Sequence, residues 1–198
     1  MPETEQYSPP PQSAAGKVLM HFAVSVDGFV AGPGHDMSFM EKTTVRDGLH
    51  REYIETTGAI LAGRAGFDSA IGDSRPYGGA WKGPIFVLTH HPEDARPAED
   101  ITFLSCPVDE AVRIALDAAQ GKNVEVFSPT ICAQLLHLGL IDEIDIHIAP
   151  VLLGDGIRLY DALGGHPVHL RRDSATPTQT VDLRYQPIGR GRDEDGDE

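Results

Sequence analysis

Val124-Glu125-Val126-Phe127 reads as a strand buried on both faces, and it runs through Ser128-Pro129 straight into an amphipathic helix, residues 130–138, closed by Gly139. A strand that feeds a helix N-terminus fixes two elements as one unit. It also presents the first helical N–H groups, which have no partner inside the helix, at an end suited to anions. The same rhythm recurs along the chain. Residues 17–25 have the apolar, β-branched content of a strand, and Asp27-Gly28 supplies a turn. Residues 47–57 carry Leu49, Tyr53 and Ile54 at helical spacing. Residues 59–62, 84–89 and 101–104 are short apolar strands, and residues 108–119 form a helix with Asp109 near its start. Residues 144–149 set Ile144, Ile146 and Ile148 against Asp145 and His147, which predicts a strand with unequal faces. Strands alternating with helices predict an α/β domain with a mostly parallel central sheet flanked by helices. The end departs from this rhythm: residues 168–173 and 180–186 are strand-like with no helix between them, which predicts an antiparallel strand pair at a sheet edge.

Composition bounds the rest. A chain of 198 residues, 40% hydrophobic, is long enough for one substantial core. The expected organisation is a disordered leader over 1–16, one domain over 17–187 and a disordered acidic tail over 188–198. The formal net charge of −14 repels a phosphate backbone and an anionic bilayer, so neither nucleic acid nor membrane is an expected partner. The leader lacks the basic and apolar regions of a signal peptide, and no apolar run approaches the roughly 20 residues that cross a bilayer. Cys106 and Cys132 lie in unrelated contexts, so a reducing cytoplasm is the expected compartment.

Chemistry-bearing residues are few. Ser25-Val26-Asp27-Gly28 places a carboxylate at the end of the first strand, where ligands of open α/β sheets bind. A partly buried Asp27 would have a raised pKa and hold or relay a proton, although Asp-Gly is equally an ordinary turn. Gly63-Arg64 follows another strand, where an arginine fork can grip a phosphate or simply sit at the surface. Trp81, in a loop rich in Gly and Pro, is either part of a surface connection or the aromatic wall of a pocket. Gly154-Asp155-Gly156 lacks the third glycine of a dinucleotide fingerprint and reads as a turn. His90-His91 lacks the convergent partners of a metal site, and no metal is expected. His21 and His147 read as partly buried, hydrogen-bonded residues on separate strands.

In this order the segments 25–31, Gly63-Arg64 with Phe67, 87–90, 139–143 and 149–156 resemble the dihydrofolate-reductase-like superfamily, in the branch of the C-terminal reductase domain of the bifunctional riboflavin-biosynthesis deaminase-reductase. The resemblance covers roughly residues 17–186. It implies a three-layer dihydrofolate-reductase-like fold, a homodimer, NADPH across the strand ends and a small-molecule substrate near the first loop. Carried over by position, Ala31 would line the nicotinamide side. Gly63, Arg64 and Thr89 would meet the adenosine half, and Ser128 and Thr130 would serve the phosphates. Asp27 would be catalytic, with Ser25, Asp27 and Trp81 facing the substrate. One departure stands at the strand-helix junction, where Phe127 and Ser128 occupy the place of two adjacent glycines. The implied activity is NADPH-dependent reduction of a small heterocycle or carbonyl compound. The alternative is a nicotinamide-independent cyclase, isomerase, dehydratase or binder on the same fold.

Overall fold

The rhythm is realised as β1 (Val18–Ser25), β2 (Phe29–Ala31), α1 (Leu49–Thr56), β3 (Thr57–Gly63), a helical turn α2 (Arg64–Gly66), β4 (Ile85–Leu88), β5 (Ile101–Leu104), α3 (Val108–Ala119), β6 (Asn123–Phe127), α4 (Pro129–His137), β7 (Glu143–Ala149) and β8 (Ile157–Arg158). The computed structural model describes residues 11–71, 75–94, 100–161 and 167–170. Residues Pro10–Gly165 make one compact unit; His166–Glu198 group with Met1–Pro9 in a second, of which residues 167–170 are described.

Six strands form one sheet in the order β5-β4-β3-β6-β1-β7, and every pairing in it is parallel. β2 and β8, which the sequence pattern did not mark, make a separate antiparallel pair. The strands expected over 168–173 and 180–186 lie almost wholly outside the described residues.

Local chemistry sets the ends of the helices. Asp109 and Glu110 stand in the first turn of α3, beside the positive end of its dipole. That helix stops where Gln120 takes a left-handed φ of 52° and Gly121 follows at 82°. Ser128 caps α4, its hydroxyl oxygen accepting the Ile131 N–H, and Pro129 takes the first helical position, where no N–H is needed.

The sheet is covered on both faces. Val18 and Met20 of β1, Ala59 and Leu61 of β3, and Val124 and Val126 of β6 pack against α3 and α4. On the opposite face Leu19 packs under Leu49 and Tyr53 of α1, while Ile60, Ile85 and Val87 pack with Trp81. Residues 11–16 are tied down, which corrects the expectation of a disordered leader for that stretch. The Asn123 side-chain oxygen accepts N–H groups from Ala15 and Lys17, its amide donates to the Ser13 carbonyl, and the Gln12 amide donates to Asp145 and Glu143. Residues 1–10 and 188–198 lie outside the described residues.

Candidate functional site

Parallel strands end on the same side, so Thr89, Gly63, Ser128 and Ser25 line one edge of the sheet in the spatial order of β4, β3, β6 and β1. Between the last two of these strands the sheet opens. β1 pairs with β6 only at Val18↔Val124 and Leu19↔Glu125, whereas it follows β7 in register from Leu19↔Glu143 to Ser25↔Ala149. Beyond Leu19 the two strands part, and the gap is the crevice expected where strand order reverses. Ala23, in the half of β1 that has parted from β6, and His147, its register partner on β7, are both partly exposed.

The strand-helix junction does not use glycine geometry. Ser128 is extended, with φ −153° and ψ 114°, and Phe127 is the last residue of a regular strand. The Phe127 ring packs against the cluster of Ile60, Trp81, Ile85 and Val87, away from the strand ends. The cap and the proline together account for two of the first-turn positions, which leaves the Thr130 N–H without a partner inside the helix at this end. Gly63 lets Ser128 pack closely on β3: a Cβ there would stand 2.9 Å from the Ser128 hydroxyl.

Arg64 is held at this edge. Its Nε donates to both carboxylate oxygens of Asp68 at 2.8 and 2.7 Å, and its guanidinium reaches the carbonyls of His91 and Asp94 and lies over the Phe103 ring. Thr89 is buried and its hydroxyl oxygen accepts the His91 N–H. Nearby, His91, Glu93 and Asp94 approach one another on exposed surface, an arrangement common without a metal.

Asp27 departs from expectation. Its carboxylate accepts the Ser25 hydroxyl at 2.6 Å and the N–H groups of Leu153 and Gly154 at 3.1 and 2.7 Å. The Ser25 hydroxyl, opposed by desolvation and helped by the Gly154 and Leu153 N–H groups, lowers its pKa to about 2. Asp27 is therefore an ionised clasp between the β1–β2 turn and the 151–159 loop, and the expectation of a raised pKa is corrected. Ser25 is buried and also accepts the Phe29 N–H, so it belongs to the same clasp. Ala31 is buried as well; Gly156, at φ 139°, presses so close that a Cβ would meet the Ala31 carbonyl oxygen at 2.1 Å.

Trp81 is a second correction. It is 5% exposed, sits in the core cluster with Ile60, and donates its Nε1–H to the Thr57 carbonyl at 3.0 Å. The ring is a structural anchor beneath β3 and not a pocket wall.

Beside α4 lies a cleft of about 880 Å³, walled by Thr130, Gln134, Phe29, Gly156, Arg158 and Asp161. Thr130 is the expected site residue that it includes. The Arg158 guanidinium stacks over Phe29, 4.7 Å from the ring centre.

On the opposite face, at the base of the crevice, lies a polar network that the sequence reading did not assemble. Glu125 is fully buried in β6. Its carboxylate receives the Tyr77 hydroxyl at 2.6 Å, the Thr57 hydroxyl, and His21 Nδ1 at 2.9 Å. His21 Nε2 stands 3.0 Å from His147 Nε2, and the His21 ring stacks on Tyr53 with centroids 3.7 Å apart. The Tyr53 hydroxyl donates to Asp145 at 2.6 Å. Burial, then the neighbouring carboxylates, raises both tyrosine pKa values, so these hydroxyls remain donors. Burial raises the Asp145 carboxyl against the Tyr53 bond, and burial with the nearby His21 lowers His147 to about 4. His21 and His147 are partly buried and hydrogen-bonded, as expected; that they meet was not. The available signal was Glu125, a charge in the middle of an otherwise apolar strand.

A parallel sheet of this order, with a crevice beside β1, defines the dihydrofolate-reductase-like fold. The chain belongs to the family described as the RibD C-terminal domain, which matches residues 79–181. A Bacillus subtilis (strain 168) relative, the uncharacterized protein YwjB, is 23% identical over 173 residues, covering 85% of this chain and 97% of its own. A Shewanella sp. PV-4 protein named for riboflavin biosynthesis superposes with a TM-score of 0.61 at 19% identity, covering 76% of this chain and 86% of that one. Enterococcus faecalis dihydrofolate reductase, solved with NADP(H), gives 0.54 at 15% identity and covers 74% and 78%. Saccharomyces cerevisiae riboflavin biosynthesis reductase Rib7 gives 0.51 at 14% identity and covers 92% and 87%. These likenesses show the fold. Among the described residues no helix is long and apolar enough to cross a membrane.

Proposed function

We propose that this protein is an NADPH-dependent reductase of a small heterocyclic or carbonyl substrate. The observation that carries the reading is the parting of β1 from β6, which opens a crevice beside Gly63, Thr89 and the capped start of α4. The fit rests on the chain itself. The Thr130 N–H and the α4 dipole suit the phosphates of a dinucleotide, and Arg64 is a cation at that edge. When bound, NADPH supplies the hydride; the protein's part is to hold, orient and keep water from the reacting groups. Reductases among the structural neighbours support this reading.

A second reading, a nicotinamide-independent enzyme or binder, is favoured by one observation: Asp68 occupies the Arg64 Nε with both oxygens, so a phosphate must compete for that guanidinium. Titration with NADPH followed by nicotinamide fluorescence decides between them. Binding in the micromolar range supports the reductase, and no binding at millimolar cofactor sinks it. A homodimer is proposed on the family resemblance alone, and sedimentation of the full chain tests it.

A further inference from the structure

Reduction of a C=N or C=O group consumes a proton along with a hydride, and Asp27, ionised and bound to Ser25, Leu153 and Gly154, has none to give. We infer that Glu125, His21 and His147 form a proton relay at the base of the crevice, with His147 Nδ1 the atom that hands the proton to the substrate. This rests on the reductase reading above.

The hydrogen positions follow from the partners. His21 Nδ1, 2.9 Å from an oxygen of Glu125, carries a hydrogen and donates it to the carboxylate. His21 Nε2 and His147 Nε2, 3.0 Å apart, hold a single hydrogen between them. Two arrangements satisfy this. In the neutral one His147 Nε2–H donates to His21, and His147 Nδ1 is a bare acceptor. In the charged one His21 bears hydrogens on both nitrogens beside the Glu125 carboxylate, His147 accepts at Nε2, and its Nδ1–H is a donor.

Moving from the charged to the neutral arrangement releases one proton at His147 Nδ1. As that proton bonds to the substrate heteroatom, the shared hydrogen passes from His21 to His147 and the charge on His21 vanishes. The substrate carbon gains the hydride's electron pair, the π bond breaks, and its electrons take up the proton from His147. Solvent recharges the relay through the partly exposed His147 ring.

The surroundings fit this division of labour. Glu125 is satisfied on its other side by the Tyr77 and Thr57 hydroxyls, and the stacked Tyr53 ring fixes the plane of His21. Burial and His21 itself keep His147 from holding charge, and His21 Nδ1 stands 2.9 Å from the buried Glu125 carboxylate. The charged and titratable groups around His147 are His21 on β1, His50, Glu52 and Tyr53 on α1, and Arg46 before it; Asp145 is its neighbour on β7. Hydrogen-bonding balance alone does not call for two imidazoles joined nitrogen to nitrogen, the outer one at an opening.

Two measurements on the full chain test the relay. With 15N-labelled histidine, a coupling across the hydrogen bond between His21 Nε2 and His147 Nε2, lost in His147→Gln, is expected; two uncoupled rings overturn the relay whatever the protein reduces. NADPH oxidation is then followed with 3,4-dihydroisoquinoline and 4-nitrobenzaldehyde as probe acceptors. His147→Gln is expected to lower kcat about 10²-fold or more. The KM for NADPH should stay within about twofold, and added imidazole should restore part of the rate, which a merely structural histidine would not permit. A kcat within about threefold of wild type, or a loss that imidazole does not mend, overturns the relay and leaves the reductase reading standing. Wild-type protein that binds no NADPH overturns the reductase reading and the relay's use together. NADPH binding without oxidation by either probe overturns the delivery of this proton to imine or carbonyl acceptors.

Discussion

Replacing Phe127 by glycine tests whether the strand-helix junction obstructs a dinucleotide. On sequence alone the ring stands where relatives have glycine, and its removal ought to improve binding. In the structure the ring turns into the cluster of Ile60, Trp81, Ile85 and Val87, and the backbone beyond it is extended. Phe127→Gly therefore removes packing and clears nothing. A fully buried phenylalanine costs about 3–5 kcal/mol on truncation to alanine, so the half-buried Phe127 loses about 2 kcal/mol. Glycine within a strand adds about 0.5–1 kcal/mol of backbone entropy, for a total of about 2–3 kcal/mol. With a urea m-value of about 2 kcal/mol/M, the unfolding midpoint should fall by about 1–1.5 M. NADPH affinity, read by nicotinamide fluorescence on folded protein, should change by less than about threefold, or ~0.7 kcal/mol. A gain of about tenfold or more, ~1.4 kcal/mol, with an unmoved urea midpoint would refute the reasoning, because the ring would then have to lie across the cofactor's path.

Trp81→Phe should destabilise by about 2 kcal/mol, from lost ring area and a Thr57 carbonyl without its donor, while leaving NADPH affinity unchanged. A stable variant with weakened ligand binding would return Trp81 to the pocket. His147 has a folded pKa of about 4 against 6.5, so it binds fewer protons folded than unfolded, and the stability it contributes is present above pH 6.5 and lost as pH falls toward 4. After discounting for its partial exposure, wild type should lose about 1–2 kcal/mol more than His147→Gln between pH 7 and 4.5, measured by urea unfolding; parallel curves would contradict this. A thiol reagent should label Cys106 and spare Cys132 in the folded protein, because Cys132 is fully buried and burial pushes its thiol up to about 12. Equal labelling rates under native conditions would show that α4 opens readily.

The elements were legible because the sheet is parallel and covered on both faces: Val124, Val126, Ile85 and Val87 make apolar runs, and α3 shows its buried face through Ala111, Val112, Ala115 and Ala119. The short strands β2 and β8 were not, since Phe29–Ala31 and Ile157–Arg158 carry too few residues to show a period and exist through pairing across more than a hundred residues. The strand-end residues fell where their sequence contexts put them, but their roles depended on partners that spacing does not reveal. Asp27 lost its expected proton to Ser25 and to two N–H groups from a loop distant in sequence. Trp81 went into the core because its indole N–H found the Thr57 carbonyl.

The polar network shows the same limit from the other side. His21, Glu125 and His147 look unrelated along the chain, yet strand alternation puts each on the face covered by α1, and the order β6-β1-β7 makes them neighbours. A carboxylate as deeply buried as Glu125 costs several kcal/mol unless every lone pair is matched, so its presence in a strand interior demands donors from adjacent strands. Thr57, Tyr77 and His21 meet that demand from β3, from the loop before β4 and from β1. His147 lies beyond it, touching His21 and not the carboxylate. Its contact therefore does nothing to satisfy Glu125. It carries the hydrogen-bond chain outward to a partly exposed ring, and that is the part of the network which stability alone does not explain.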